Sequence, residues 1–288
     1  MGADVVLDHL TRMAHAVEDG WAAAWASLGA VPAIPPTLVD DTAACLRVCT
    51  PDMPEMLLNI VMRYTAAGLA PVSAADVERV IAPYRQHRLP FQWWLSLGTE
   101  PAGLREQLRA LGLRSWGGAT SMTLPLAGWQ PRYPPPAAGT AFCLAAAERD
   151  GEDAVSVICD VFFLPREATA RWTTANTAFR TYLARLNGRP IAAMNTMWHD
   201  GAVLLFNVAT LPAARRRGIA GNLAILALTE ARDAGCTLAT LTATPEARRL
   251  YEELGFRACA TMEQWVPGHD LMTDLVRGRR RSPGLDGS

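Results

Sequence analysis

Between residues 203 and 234 a strand runs into a helix through a loop of arginine and glycine, and this junction constrains the rest of the chain. Val203 to Phe206 is an apolar run with strand character. Asn222 to Ala234 carries Leu223, Leu226, Ala227 and Ala231 at helical spacing. Between them stands Arg215-Arg216-Arg217-Gly218-Ile219-Ala220-Gly221. The first turn of a helix leaves backbone N–H groups without partners at its positive end, so a loop of this kind is an anion site. Gly218 and Gly221 let a ligand come close to the backbone, and the three arginines add charge around it. The ligand expected there carries a pyrophosphate.

Length and composition narrow the setting. At 288 residues the chain has room for two domains, or for one with a large elaboration. Half the residues are hydrophobic and 19% are charged, which fits a globular protein with a sizeable core. A net charge of −1 argues against a nucleic-acid partner or an anionic membrane surface. All 27 basic residues are arginine, so any mechanism that needs a lysine of this chain, a Walker loop included, is excluded. With the abundant alanine, the missing lysine suggests a GC-rich bacterial genome. The six cysteines (45, 49, 143, 159, 236 and 259) form no CxxC pair, so neither a metal site nor a disulfide framework is expected. The start, Met1-Gly2-Ala3-Asp4, lacks the basic segment of a signal peptide, and no run approaches membrane-spanning length. The expected compartment is the cytoplasm.

Read in order, residues 4–28 form one amphipathic helix along Val6, Leu10, Met13, Val17, Trp21, Trp25 and Leu28, with Asp4 as its cap. Strands are expected at Cys45 to Cys49, Met56 to Tyr64, Phe91 to Leu97 and Ser121 to Leu126. A turn is expected at Ala66-Ala67-Gly68. Helices are expected from Ser73 to near Pro83 and from Pro101 through Leu104, Leu108 and Leu111. Gly128 to Thr140 holds four prolines and reads as a linker. Beyond it come a strand at Ala141 to Ala147, helices at Asp153 to Phe163 and Ala168 to Ala178, and a hairpin through Asn187-Gly188. Cys236 to Ala243 is a strand, Pro245 to Leu254 a helix and Phe256 to Val266 a final strand or strand pair. The tail with Arg277-Gly278-Arg279-Arg280-Arg281 reads as solvated.

The halves echo each other. Pro101 to Leu113 matches Pro245 to Phe256 in pattern, and Asn59 stands in an apolar run like that around Asn207. A repeat of about 145 residues suits a duplicated domain. The alternation of strand and helix gives an α/β fold class.

The C-terminal half resembles the GNAT superfamily of acyl-CoA-dependent N-acetyltransferases. Arg215-x-x-Gly218-x-Ala220 matches the family's Q/R-x-x-G-x-G/A loop, and Leu250-Tyr251-Glu-Glu-Leu-Gly255-Phe256 its second motif. The resemblance covers Thr140 to Val266, close to half the chain, and implies two GNAT-like mixed-sheet αβα units, the first degenerate. It implies residues 1–130 as an N-terminal helix plus degenerate domain, 131–139 as a linker, 140–268 as the catalytic domain and 269–288 as a tail. The co-substrate implied is acetyl-CoA, with no metal. Val208, Ala209 and Thr210 match the backbone that pairs with the pantetheine arm; Arg215, Arg216, Arg217, Gly218, Ile219, Ala220 and Gly221 match the pyrophosphate loop.

Tyr251 matches the tyrosine that, in many members of the family, lies near the thioester sulfur and can donate a hydrogen bond or a proton to the leaving thiolate. The strand before the loop offers Asn207 where relatives often carry an acid, so Asn207, Asn195 and Thr242 are candidates to hold a water chain. Glu263, Asp160 and His199 are outside candidates for the base. Cys236 and Cys259 flank the site in sequence without a paired histidine, so direct attack in a ternary complex is expected over an acyl-enzyme. The first copy has Pro71 and no arginine in its Thr65 to Pro71 loop, and Leu108 where Tyr251 stands. Trp93, Trp94 and Trp116 belong to its core or to an acceptor wall. The expected acceptor is the amine of a small molecule, with a protein amine second, and the expected state is a monomer or homodimer. The rivals are a non-catalytic acyl-CoA sensor and a transferase using a longer acyl-CoA.

Overall fold

The computed structural model describes residues 3–33, 35–65, 71–95, 100–269 and 271–272. The turn expected at Ala66-Ala67-Gly68, the last residues of the strand expected at Phe91 to Leu97 and the basic tail lie outside the described residues. The chain opens with helix α1 (Ala3–Ala26), strands β1 (Leu38–Asp41), β2 (Leu46–Cys49) and β3 (Ile60–Met62), and helix α2 (Ala74–His87). Next come β4 (Gln92–Leu95), α3 (Leu104–Ala110), β5 (Leu113–Pro125), β6 (Thr140–Leu144), α4 (Glu148–Phe162) and α5 (Arg166–Trp172). The series ends with β7 (Phe179–Leu186), β8 (Arg189–His199), β9 (Ala202–Thr210), α6 (Ile219–Asp233), β10 (Leu238–Ala243), α7 (Pro245–Glu253) and β11 (Arg257–Pro267). The fold is mixed α/β, with parallel and antiparallel pairs in its sheet.

Two compact units divide the chain. One comprises Met1–Val31 with Ala119–Met262, the other Pro32–Gly118 with Glu263–Ser288. Helix α1 thus falls in the unit that holds the arginine loop, and so does the proline-rich stretch after β5. Within that unit the α1 stripe at Val17, Trp21, Trp25 and Leu28 is buried. Trp21 stacks on Trp25 at 4.8 Å and meets Phe206 of β9, while Trp25 meets Trp172 of α5. Gly20 allows this close approach: a Cβ there would stand 3.4 Å from Thr240 Oγ1 and 3.5 Å from Leu204 Cβ. Asp4 lies inside the helix rather than capping it, because α1 already starts at Ala3.

In the same unit β7 and β8 form the hairpin expected at Asn187-Gly188, both residues having positive φ (49° and 80°). β8 pairs antiparallel with β9, β9 parallel with β10, and β10 antiparallel with the later residues of β5. Val203 and Leu205 pack in the core under α6, with Leu223, Ala224, Ala227 and Leu228. On the opposite face Ala209 joins Ala154, Val157 and Ile158 of α4.

The second unit repeats this pairing. β2 and β3 are antiparallel, β3 and β4 parallel, and β4 is antiparallel to residues 263–265 of β11. The strand that follows α3 therefore completes the first unit, and the strand that follows α7 completes the second. The matching helices α3 and α7 both stop at a left-handed glycine, Gly112 (φ 86°) and Gly255 (φ 100°), as their similar sequences imply. The apparent echo of Asn59 and Asn207 is not positional. Asn59 precedes β3 and holds its loop by bonds with Thr50 N, Met53 O and Glu55 O. It is Arg63, just past β3, that shares the positive φ of Asn207 (55° and 50°).

Helix α2 starts at Ser73 as expected, where Ser73 and Asp76 form a capping box, but it does not stop at Pro83. Pro83 removes the N–H that would bond the Arg79 carbonyl, and Arg47 Nη1 donates to that oxygen instead at 3.4 Å. One residue on, the buried Tyr84 hydroxyl is shared between Ile60 O (2.6 Å) and Val48 O (3.0 Å), which ties the continued helix to the sheet. Trp93 and Trp94 are buried in this unit, whereas Trp116 is 67% exposed and belongs to no core.

Candidate functional site

The site is built where β9 leaves its neighbours. The parallel ladder with β10 runs from Ala202–Leu238 to Leu205–Leu241 and stops, although β9 continues to Thr210 and β10 to Ala243. On the other side β9 carries a bulge: Asn207 and Val208 together oppose Met194, and Asn207 has φ 50°. The bulge and the parted ladder leave backbone groups of Phe206 to Thr210 without a β10 partner, along one edge of a gap in the sheet. Val208, Ala209 and Thr210 lie on that edge.

After Thr210 the chain makes a short 3-10 turn at Pro212–Ala214 and enters the arginine loop. Arg215 turns back, donating from Nε to Thr210 O at 3.1 Å. Arg216 has φ 60°, a left-handed conformation costing about 1 kcal/mol or more for a residue with a side chain. Gly218 (φ 72°) is the N-cap of α6, with no side-chain cap and no acidic residue in the first turn. The first helical bond is Asn222 N to Gly218 O, so the N–H groups of Ile219, Ala220 and Gly221 have no partner within the helix. Left-handed residues at alternate positions before a helix start, here Arg216 and Gly218, turn N–H groups toward one point, which is the backbone form of an anion cradle. Arg215, Arg216 and Arg217 are exposed around it.

A chain of buried amides and a hydroxyl leads away from the bulge. Asn207 Nδ2 donates to Asn195 Oδ1 at 3.0 Å, and Asn195 Nδ2 donates to Thr181 Oγ1 at 2.8 Å. Asn195 is fully buried and Thr181 nearly so, while Asn207 is partly exposed. Thr181 also borders a cavity of about 770 Å³ against α4 and α5, with Phe179, Thr173 and Asn176. Thr181 was not among the residues legible as functional. Its part depends on the β7–β8 register, which sets it directly opposite Asn195.

Tyr251 is the one buried side chain of α7. Its ring meets Phe256 edge-on at 5.8 Å, and burial pushes its phenol well above the ordinary value. Among the described residues its hydroxyl makes no hydrogen bond, to Asn207 or to any other group. Asn207 lies in the polar chain toward α4, and Tyr251 belongs to the core under α6 and α7.

The outside candidates for a base fall away from the bulge. His199 sits beside Asp200 (3.3 Å) at the far end of the β8–β9 hairpin, roughly 16 Å along the strand from Asn207. Asp160 is exposed on α4. Glu263 belongs to the other unit. Burial raises its pKa, but bonds from Ser115 and Arg105 outweigh that and hold the carboxyl below its usual range. All six cysteines are free thiols. Burial pushes Cys259 up to about 11, and its thiol donates to Ser121 O at 3.4 Å; burial raises Cys236 as well. Neither is a ready thiolate.

The expected linker is fixed to this unit along its length. Trp129 Nε1 donates to Leu254 O at 2.9 Å, Asn222 Nδ2 to Pro134 O at 2.9 Å, and Ala137 N to Arg217 O at 3.2 Å. Its aromatic residues are the signal that could have revealed this, since a free tether has no use for a buried Trp129. Among the described residues no helix is long and apolar enough to cross a membrane.

Residues 142–256 match the family model of the acetyltransferase (GNAT) family. No curated protein matches the chain. Among solved structures, a GCN5-related N-acetyltransferase from Kribbella flavida is similar at 20% identity over 86% of this chain and 95% of that one, with a TM-score of 0.62. A GCN5-related N-acetyltransferase from Sphaerobacter thermophilus shares 17% identity over 81% and 84%, with a TM-score of 0.59. A tandem GNAT protein from the clavulanic acid biosynthesis pathway shares 14% over 88% and 94%, at 0.54. These three share the fold. The parted strands and the uncapped, arginine-ringed helix start thus lie within the segment, residues 142–256, that matches the acetyltransferase (GNAT) family.

Proposed function

We propose that residues 140–268 transfer an acetyl group from acetyl-CoA to the amine of a small molecule, by direct attack in a ternary complex. The observation that carries this reading is the gap between β9 and β10, which opens directly before the turn rich in free N–H groups. The pyrophosphate binds the N–H groups from Arg216 to Gly221, and the pantetheine arm enters the gap, its amides pairing with Val208 to Thr210. The thioester then lies at the bulge, within reach of both faces of the sheet.

The amine nitrogen attacks the thioester carbon, and its surplus proton leaves through water held by Asn207 in the chain that continues to Asn195 and Thr181. As the tetrahedral intermediate collapses, the C–S bond breaks, the leaving sulfur accepts a hydrogen bond from the Tyr251 hydroxyl, and CoA departs as the thiolate, which takes its proton from solvent. A hydroxyl held neutral by burial remains a donor for that bond, and the raised pKa values of Cys236, which is buried, and Cys259, which is half-buried, argue against an acyl-enzyme. The cavity of about 770 Å³ beside Thr181 is of the size that takes a small-molecule acceptor. In this reading the degenerate copy binds no CoA: Pro71 lacks the N–H a phosphate needs, and Leu108 replaces the tyrosine.

Acetyl-CoA binding and CoA release over an amine panel test the proposal, with Arg217→Glu and Gly218→Asp as probes. Both variants are expected to weaken acetyl-CoA binding by about tenfold or more, through charge repulsion and a blocked, strained backbone. Unchanged affinity in either refutes the loop assignment. Tight binding with no CoA release for any amine replaces the enzyme with an acyl-CoA sensor, and stronger turnover of malonyl- or longer acyl-CoAs replaces acetyl.

A further inference from the structure

We propose that the proline-rich segment Tyr133–Ala137 is the wall of the acyl-CoA site at its nucleotide end, and that the Tyr133 ring is the platform for the 3′-phosphoadenosine. This rests on the acyl-CoA reading above and adds residues that lie outside the segment matching the family. The wall is fixed in place. Asn222 Nδ2 bridges Pro134 O (2.9 Å) and Gly218 O (2.7 Å), and Ala137 N donates to Arg217 O. The segment is thus tied at two points to the turn that receives the pyrophosphate.

Glycine choice in that turn follows from the wall. A methyl group at Gly221 would overlap the Tyr133 ring, and one at Gly218 would stand 3.2 Å from Pro135 O. Gly221 is otherwise a poor residue for the first turn of a helix, costing about 0.5–1 kcal/mol against alanine. Its presence keeps the tyrosine ring against the helix start.

The cleft decides the occupant. Tyr133, Pro134 and Pro136 face Glu246, Arg249 and Leu250 of α7 across about 890 Å³, and the cleft opens onto Arg216, Arg217 and Gly218. An acyl-CoA held at the turn sends its pantetheine arm back along β9, so its nucleotide leaves the pyrophosphate on the other side, where this cleft begins. A flat surface of one phenol ring and adjoining proline rings suits the face of a purine. Glu246 and Glu253 can accept from its amino group. Arg216 and Arg217 are exposed and, among the described residues, take part in no ion pair, so both are available to the ribose phosphate.

Acetyl-CoA and acetyl-phosphopantetheine, which has the same thioester arm but lacks the 3′-phospho-AMP and with it one phosphate of the pyrophosphate, separate this proposal from the reading beneath it. In the wild type, KM for the full co-substrate is expected to be lower by about tenfold or more. In Tyr133→Ala that ratio falls by about fivefold or more, driven by KM for acetyl-CoA and not by kcat, and Tyr133→Phe restores it. Gly221→Ala, which displaces the ring without removing it, gives the same fall and stands in if Tyr133→Ala fails to fold by circular dichroism. A wild type that uses both thioesters equally, or a folded variant that keeps the wild-type ratio, overturns the proposal. A wild type that binds neither thioester fails the acyl-CoA reading itself.

Discussion

Tyr251 illustrates how one buried hydroxyl can be both inert and poised. Burial raises its pKa well above 10, so it stays protonated over any pH at which the fold is handled. Tyr251→Phe is expected to lower kcat by about a hundredfold while leaving CoA affinity within about twofold, read by steady-state kinetics and calorimetry. Because the raised pKa keeps the acid form intact as pH rises, the wild-type pH–rate profile should show no alkaline loss attributable to this phenol up to about pH 10. Full turnover in the phenylalanine variant removes Tyr251 from the mechanism, whereas an alkaline limb that the variant abolishes overturns the burial argument, since the phenol then titrates below about pH 10. Asn195 poses a different case, because its amide is fully buried between Thr181 and Asn207. Asn195→Ala leaves both without a partner and should cost about 1–3 kcal/mol, read as a lower urea midpoint at unchanged slope, with a loss of turnover. The loop arginines and Tyr251 were legible in sequence because each belongs to a short local motif. Thr181 was not, since only the pairing of two strands brings it to Asn195.

At the scale of elements, periodicity named most helices and strands and misassigned what tertiary contact overrides. Pro83 should have ended α2, yet Arg47 satisfies the carbonyl it orphans and Tyr84 anchors the turn beyond it. The proline count marked residues 128–140 as a linker, but Trp129 and Tyr133 make that stretch part of a packed surface. The stripe on α1 is a packing face from Val17 onward, while Leu10 near its start is exposed, and its partners could not be read. They are Leu204, Phe206 and Trp172, more than a hundred residues away. Trp25→Ala opens a cavity among Trp21, Trp172 and their neighbours and should destabilise the protein by about 3–5 kcal/mol, measurable as a shifted denaturation midpoint. A shift below about 1 kcal/mol would mean that α1 is dispensable to that core.

For the molecule as a whole, duplication was legible and the exchange of final strands was not, because two similar halves look self-contained in sequence. Each unit takes its last strand from the chain that follows the other's last helix. A cut at the proline-rich stretch therefore separates no independent enzyme. A fragment from Thr140 onward loses α1 and residues 119–125, exposing the edge of β10 and the aromatic face around Phe206. It is expected to aggregate in size-exclusion chromatography and to bind no acetyl-CoA, whereas a soluble fragment that unfolds cooperatively would contradict that expectation.

The exchange also sets a schedule for synthesis. β4 leaves the ribosome early, but its antiparallel partner at residues 263–265 follows only after residues 119–262 of the other unit have been made. At translation rates of about 5–20 residues per second, the tryptophan-rich edge at Trp93 and Trp94 waits on the order of ten seconds or more for its neighbour. During that interval the nascent chain carries a sticky, half-finished sheet, so chaperone occupancy should peak before residue 263 emerges and fall once it does.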